Sequence, residues 1–336
     1  MKKIRNYILF FLLLIVSSIF FLPNYLDCPP SLHAKDDKVE FNVEEGETLR
    51  HVIKRLKALD LIKSETYALL CAKWKKYNIK TGIYDFSHSF RTTEILDLLT
   101  KGGREELIKV TIPEGLTIKK TALVLEEKGV CKALDFIQSA KNISILNEFN
   151  IASKTAEGFL FPDTYLLSKK DNAQSIVRMM IKNFFLKAKK INNFPKDKNE
   201  IYKIVTLASI VEREYQVDEE ASIISGVFTN RLNIKMPLQS CATVEYIITE
   251  IEGKPHPKRL FFEDIERKNE YNTYVHQGLP PTPIANPGFV SLSAACNPKK
   301  TNYLYFRLID AKEGRHAFST NVRDHNKIGN TYLLKK

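Results

Sequence analysis

The polarity pattern changes character three times along the chain. Residues 1–5, Met-Lys-Lys-Ile-Arg, are basic, and the next apolar run, YILFFLLLIVSSIFFLP (7–23), carries no charge over 17 residues. That length is at the lower limit for a helix crossing a hydrocarbon core. The run ends in FFLPNYLDC rather than in small residues of the A-x-A type, so it reads as an uncleaved anchor and not as a signal peptide. Beyond the polar stretch SLHAKDDK, Val39, Phe41 and Val43 alternate with polar residues, as a half-buried strand does. A turn, EEGET, follows, and Leu49, Val52, Ile53, Leu56 and Leu59 then recur at helical spacing.

Sixty-nine residues later the same device returns: VEEGETL (43–49) aligns with IPEGLTI (112–118). Each predicts a strand, a turn at Gly46 or Gly115, and a helix entered through Thr48 or Thr117. The recurrence suggests duplicated small modules. The pattern resembles the LysM carbohydrate-binding module, the first copy more closely. GIYDF (82–86) with TTEILDLLTKG (92–102) predicts a second strand and helix completing this region.

From about residue 155 the texture shifts. EGFLFPDTYLL (157–167) is dense in aromatics and turn formers. Helices are predicted over 173–191, 200–215 and 218–233, the last opening on Asp218 and further acids that suit a helix N-terminus. Loops and short strands are expected thereafter, in PLQSCATVEYI, TNYLYFRLI and RHAFSTNVRDHN. The prolines of GLPPTPIANPG exclude a regular element there. The fold class expected is α+β: an N-terminal transmembrane helix (1–27), a LysM-like strand–helix region (38–135) and a larger α+β catalytic domain (150–335).

Net charge is +12. A basic chain suits nucleic acid or anionic surfaces. The basic residues on one flank of the apolar run place the tail inside the cell and the remainder outside, which argues against nucleic acid. The five cysteines (28, 71, 131, 241, 296) are widely and irregularly spaced, and there is no C-x-x-C or H-E-x-x-H, so neither a metal nor a cofactor is expected.

Candidate chemistry centres on LASIVEREY (207–215). Glu212 and Glu214 interrupt an apolar stretch where acids are least expected. At about 100° per residue, Glu212 falls between Ala208 and Val205, and Glu214 between Leu207 and Ile210. Both border apolar surface, and periodicity does not choose between them. An acid against an apolar wall keeps its proton near neutral pH, as a general acid at a glycosidic bond must. Gln239, Thr243, Tyr246, Asn272, Thr273, Tyr274, Asn286, His316, Ser319 and Asn321 supply groups suited to sugar hydroxyls and acetamides. Neither a phosphate-binding Gly-rich loop nor a G-x-S-x-G elbow occurs.

These blocks carry a resemblance. EGFLFPDTY, LASIVEREY, VFTNRL, MPLQS, TVEY, YNTY, GLPPTPIANPG, SLSAACNP, YLYF and HAFSTNVRDHN occur in the order and spacing of the endolytic murein transglycosylases, the YceG-like family. The resemblance implies a lyase that cleaves between N-acetylmuramic acid and N-acetylglucosamine in nascent peptidoglycan and leaves 1,6-anhydro ends. It implies Glu212 as the catalytic acid, Glu214 as a supporting residue, and penicillin-binding synthases as partners at the inner membrane, with the catalytic domain periplasmic. The chain departs from the family at QSCATV, where Cys241-Ala242 replaces Asp-Pro. That departure favours the alternative of a non-catalytic peptidoglycan-binding scaffold. A Cys241 nucleophile paired with His276 or His316 is a further, remoter alternative.

Overall fold

The structure is a computed structural model that describes residues 21–31, 37–169, 171–310 and 312–333. Residues 7–20, most of the expected anchor, lie outside the described part. Among the described residues no helix is long and apolar enough to cross a membrane. The described residues are α+β, with helices and three small antiparallel sheets. It divides into two units between Glu106 and Leu107. The expected region 38–135 is therefore split, and its second strand–turn–helix copy belongs to the larger unit.

In the smaller unit a short helical stretch, α1 (residues 21–27), precedes β1 (Val39–Val43), α2 (Leu49–Ala58), α3 (Glu65–Trp74), β2 (Gly82–Phe86) and α4 (Thr92–Lys101). β1 and β2 pair antiparallel from Val39↔Phe86 to Val43↔Gly82. Their inward positions Phe41, Val43, Tyr84 and Phe86 close a core with Val52, Ile53 and Leu56 of α2 and Ile95, Leu96 and Leu99 of α4. The sequence reading missed α3, which is apolar on both faces and so shows no clear helical stripe.

The larger unit opens on β3 (Leu107–Thr111), α5 (Ile118–Glu127), α6 (Ala133–Ser139), α7 (Ile143–Glu148), β4 (Thr164–Ser168) and α8 (Ala173–Ala188). The two copies of the strand–turn–helix joint share their geometry. Gly46 and Gly115 take φ of +82° and +75°, a conformation open to glycine. Thr48 and Thr117 then cap α2 and α5 through their side-chain oxygens.

The remaining elements are α9 (Lys198–Val211), α10 (Asp218–Asn233), α11 (Cys241–Tyr246) continuing into a π-helical turn (Ile247–Ile251), α12 (Phe262–Ile265), α13 (Phe289–Cys296), β5 (Tyr305–Asp310), β6 (Arg315–Ser319) and α14 (Val322–Leu333). α9 lies at the centre, packed on α13 and α10. Asp197 caps it by accepting from Asn199 N and Glu200 N. Two expectations need correction. PLQSCATVEYI is helical from Cys241, not a loop or strand, and the segment after Asn321 is a helix. The Pro-rich 279–288 segment has no regular element, as its prolines require.

Candidate active site

α9 ends at Val211, with Glu212 as its C-cap; Arg213 N and Glu214 N make the tight bonds of a closing turn, to Ile210 O and Val211 O. Beyond Val211 the helical wheel no longer applies, and the two acids part company.

Glu212 turns toward α13. Its Oε2 accepts from Gly288 N at 2.9 Å and from Ser291 Oγ at 2.6 Å. Glu114, from the turn after β3, accepts from Phe289 N. Two carboxyl groups thus satisfy the otherwise unpaired N–H groups at the start of α13, where the helix dipole favours negative charge. A Cβ at Gly288 would overlap the Glu114 carboxylate and displace it. Burial raises the Glu212 pKa to about 7, against the lowering effect of Ser291 and Gly288.

Glu214 turns the other way. It accepts a short hydrogen bond from Ser240 Oγ and another from the Ala242 backbone. Burial raises its pKa to about 7 as well, with the neighbouring Glu245 adding to the shift and Ser240 opposing it. Glu214 lines a cleft of about 670 Å³ together with Arg213, Gln239, Cys241, Glu245, Tyr274, Tyr305 and His316, among others. Glu212 is not among the cleft-lining residues. The cleft's other carboxylate, Glu245, is engaged by Arg213 at 3.0 Å and by His256 at 3.2 Å.

Of the predicted sugar-contacting residues, the structure brings Gln239, Tyr274 and His316 to the cleft. Others build its walls. Thr273 accepts from Ser240 N through Oγ1 and from Gln239 N through its carbonyl, and its hydroxyl meets that of Thr243 at 3.0 Å. This fully buried knot holds the Gln239-Ser240 loop over Glu214. Asn272 donates to the carbonyls of Ile265 and Arg267 and accepts from Tyr274 N, which sets the Tyr274 ring in place. The remaining four lie elsewhere. Asn286 accepts from Gly158 N and Leu160 N and donates to Leu116 O, stapling the Pro-rich loop to the EGFLFP segment. Tyr246 packs against Tyr271, Ser319 is buried at the end of β6, and Asn321 accepts from Asp324 N at the start of α14.

His316 is held from behind. Buried Glu220, on α10, accepts from both its backbone N and its Nδ1, the latter at 2.8 Å. Arg231, from the VFTNRL block, was not foreseen. Its buried guanidinium donates to Leu304 O at 2.6 Å and Leu238 O at 2.7 Å and lies over the Tyr305 ring, joining two walls of the cleft. Its position three and four residues after Phe228 and Val227, on the buried stripe of α10, was the available signal. Cys241 sits on the rim with Sγ 3.1 Å from Tyr274 OH, and burial raises its thiol pKa. A thiol so held is a poor nucleophile. No cluster of side chains among the described residues could hold a metal ion.

The model of the YceG-like family matches residues 41–330. An endolytic murein transglycosylase of Bacillus subtilis is 33% identical over 322 residues, covering 90% of this chain and 87% of that protein. One of Streptococcus pneumoniae is 29% identical over 354 residues, covering 96% of this chain but 63% of its own length. The crystal structure of a yceG-like protein from Listeria monocytogenes superposes with a TM-score of 0.59 at 28% identity, over 87% of this chain and 99% of that one. The chain belongs to the YceG-like family.

Proposed function

We propose that the protein is an endolytic murein transglycosylase, a lyase that cleaves the bond between N-acetylmuramic acid and N-acetylglucosamine within peptidoglycan strands, with Glu214 as its acid and base. The relatives' activity and the near-complete family match support the reaction. One observation carries the residue assignment: of the two glutamates with raised pKa, Glu214 lines the cleft and Glu212 is committed to α13. The family resemblance had pointed to Glu212; the geometry favours the residue two places on.

The chemistry follows from one carboxyl group acting twice. With a pKa of about 7, Glu214 carries a proton in much of the population near neutral pH. It gives that proton to the glycosidic oxygen as the muramyl C1–O bond breaks, and the N-acetylglucosamine residue leaves as an alcohol. The muramyl 6-hydroxyl closes onto C1, and its proton passes to the carboxylate just formed. The product is a 1,6-anhydro ring, Glu214 is again protonated, and no water is consumed. A second carboxylate at the spacing of a hydrolase pair is not needed. Gln239, Tyr274 and His316 are placed to contact sugar hydroxyls and acetamides.

On this reading the apolar run 7–23 holds the protein in the cell membrane with its cleft on the outer face, beside penicillin-binding synthases that deliver nascent strands. The basic residues flanking the run support that orientation. The rival reading, a glycan-binding scaffold without activity, draws on Cys241-Ala242 at the start of α11, beside Glu214. Purified full chain incubated with glycan strands decides between them by mass spectrometry. Anhydromuramyl ends support the transglycosylase, reducing ends indicate a hydrolase, and binding without cleavage supports the scaffold.

A further inference from the structure

The smaller unit carries an apolar surface that its own core leaves uncovered. Ala68 and Ala72 of α3 face that core. The opposite side presents Leu70 and Trp74, one turn apart, at 62% and 83% exposure. Tyr67 lies on the same stripe, at i−3 from Leu70. Trp74 is the only tryptophan in the chain. Exposed Lys73 and Lys76 flank it, and Lys75 reaches Tyr77 OH at 3.0 Å.

A second exposed apolar group stands at the N-terminal end of α3. α1 presents Phe21, Leu22 and Tyr25 outward. It is fastened to the same unit: Asp27 accepts from Thr93 N at 2.9 Å and from Thr93 Oγ1, and Leu26 O accepts from Thr92 Oγ1. Lys63, next to the Ser64 cap of α3, donates to Tyr25 O and lies over the Tyr25 ring. The start of α3 and the end of the apolar N-terminal stretch are therefore neighbours within the smaller unit.

We propose that this face of α3 lies on an anionic lipid bilayer, with Trp74 and Leu70 at the headgroup level and Lys73 and Lys76 against lipid phosphates. Indole is amphipathic and settles at the membrane–water interface. Basic side chains beside it add attraction to anionic lipid, and their stems lie along apolar surface. Scattered exposed apolar residues need no explanation. Here the apolar pair and the lysines share the C-terminal half of α3 and the turn just after it, the end of α1 meets the start of α3, and together they match a membrane surface. This inference rests on the smaller unit alone and is independent of which glutamate cleaves the glycan.

Because Trp74 is the only tryptophan, its fluorescence reports this face and nothing else. Full chain is reconstituted into vesicles of phosphatidylglycerol and phosphatidylcholine, with or without bromine on the lipid acyl chains, and co-flotation is measured on the same sample. The expected result is blue-shifted emission and loss of most of it to brominated lipid. In phosphatidylcholine alone, or with Lys73→Glu/Lys76→Glu in the mixed vesicles, both effects shrink. If the chain floats with the vesicles but Trp74 emission is unquenched, the apolar run anchors the protein and α3 does not dock, which overturns the proposal. Loss of both flotation and quenching overturns the proposal and the anchor reading together. An emission shift produced by glycan strands without lipid, with no quenching in vesicles, would reassign the face to sugar stacking. A concentration-dependent shift without lipid would reassign it to self-association.

Discussion

Glu212 and Glu214 are two residues apart and have pKa values raised to about the same level by burial, yet their surroundings differ in kind. Glu212 caps α13: both its bonds run to the start of that helix, Glu114 completes the same cap, and Glu212 does not line the cleft. Glu214 is held at the start of α11, through Ser240 and Ala242, and it lines a cleft. A raised pKa is therefore shared by a structural acid and a candidate catalytic one. What separates them is whether a substrate oxygen can reach the proton.

Experiments can press on that difference. The largest effect is expected from Glu214→Ala, which should lower the rate of anhydromuramyl formation roughly a hundred- to ten-thousandfold, the usual contribution of a general acid, with circular dichroism unchanged. Next is pH. The acid step needs protonated Glu214, so the rate should fall about tenfold per unit once pH is well above about 7. A rate that stays level to high pH would show that the proton comes from elsewhere.

Stability effects are smaller. Glu212→Ala strands Gly288 N and removes the shorter bond of the Ser291 hydroxyl, and should cost about 1–3 kcal/mol in denaturant unfolding, while the rate per folded molecule changes only a few-fold. Glu157 extends the comparison to an acid remote from the cleft. It accepts from Ile118 N at 3.0 Å, and burial raises its pKa to about 8. An acid raised on folding stabilises the protein fully below its ordinary pKa, near 4.5, and that contribution is lost as pH rises through about 8. Glu157→Gln should flatten the fall of Tm across this window. The smallest effect is expected from Cys241→Ala: the thiol is on the rim and takes no part in the proposed step, so the rate should stay within about twofold. A large loss would give the family departure at this position a catalytic meaning.

Much of the molecule was legible from pattern. Strand alternation at Val39, Phe41 and Val43, the Gly46 and Gly115 turns, and the acids opening α10 each reflect local physics, and the structure follows them. The ends and exceptions were less legible. α9 was read through residue 215 because its apolar residues continue, but it closes at Val211, and that early turn aims Glu212 and Glu214 at opposite partners. A helical wheel carries no information past the helix end. α11 was read as loop because six residues with a cysteine and two β-branched side chains have little helix propensity of their own; the Thr243–Thr273 bond and burial against the core supply the rest. Asn272 and Asn286 have the chemistry of sugar ligands, yet the fold commits both to backbone groups, Asn272 within its own loop and Asn286 on distant segments, a use that composition does not reveal.

The most direct test of the account is a paired product assay on Glu212→Gln and Glu214→Gln, with folding checked for both. Glutamine preserves shape and the capacity to accept a hydrogen bond but has no proton to give. The account predicts that anhydromuramyl ends vanish with Glu214→Gln and persist with Glu212→Gln. Ends that persist with Glu214→Gln and vanish with a folded Glu212→Gln would contradict it.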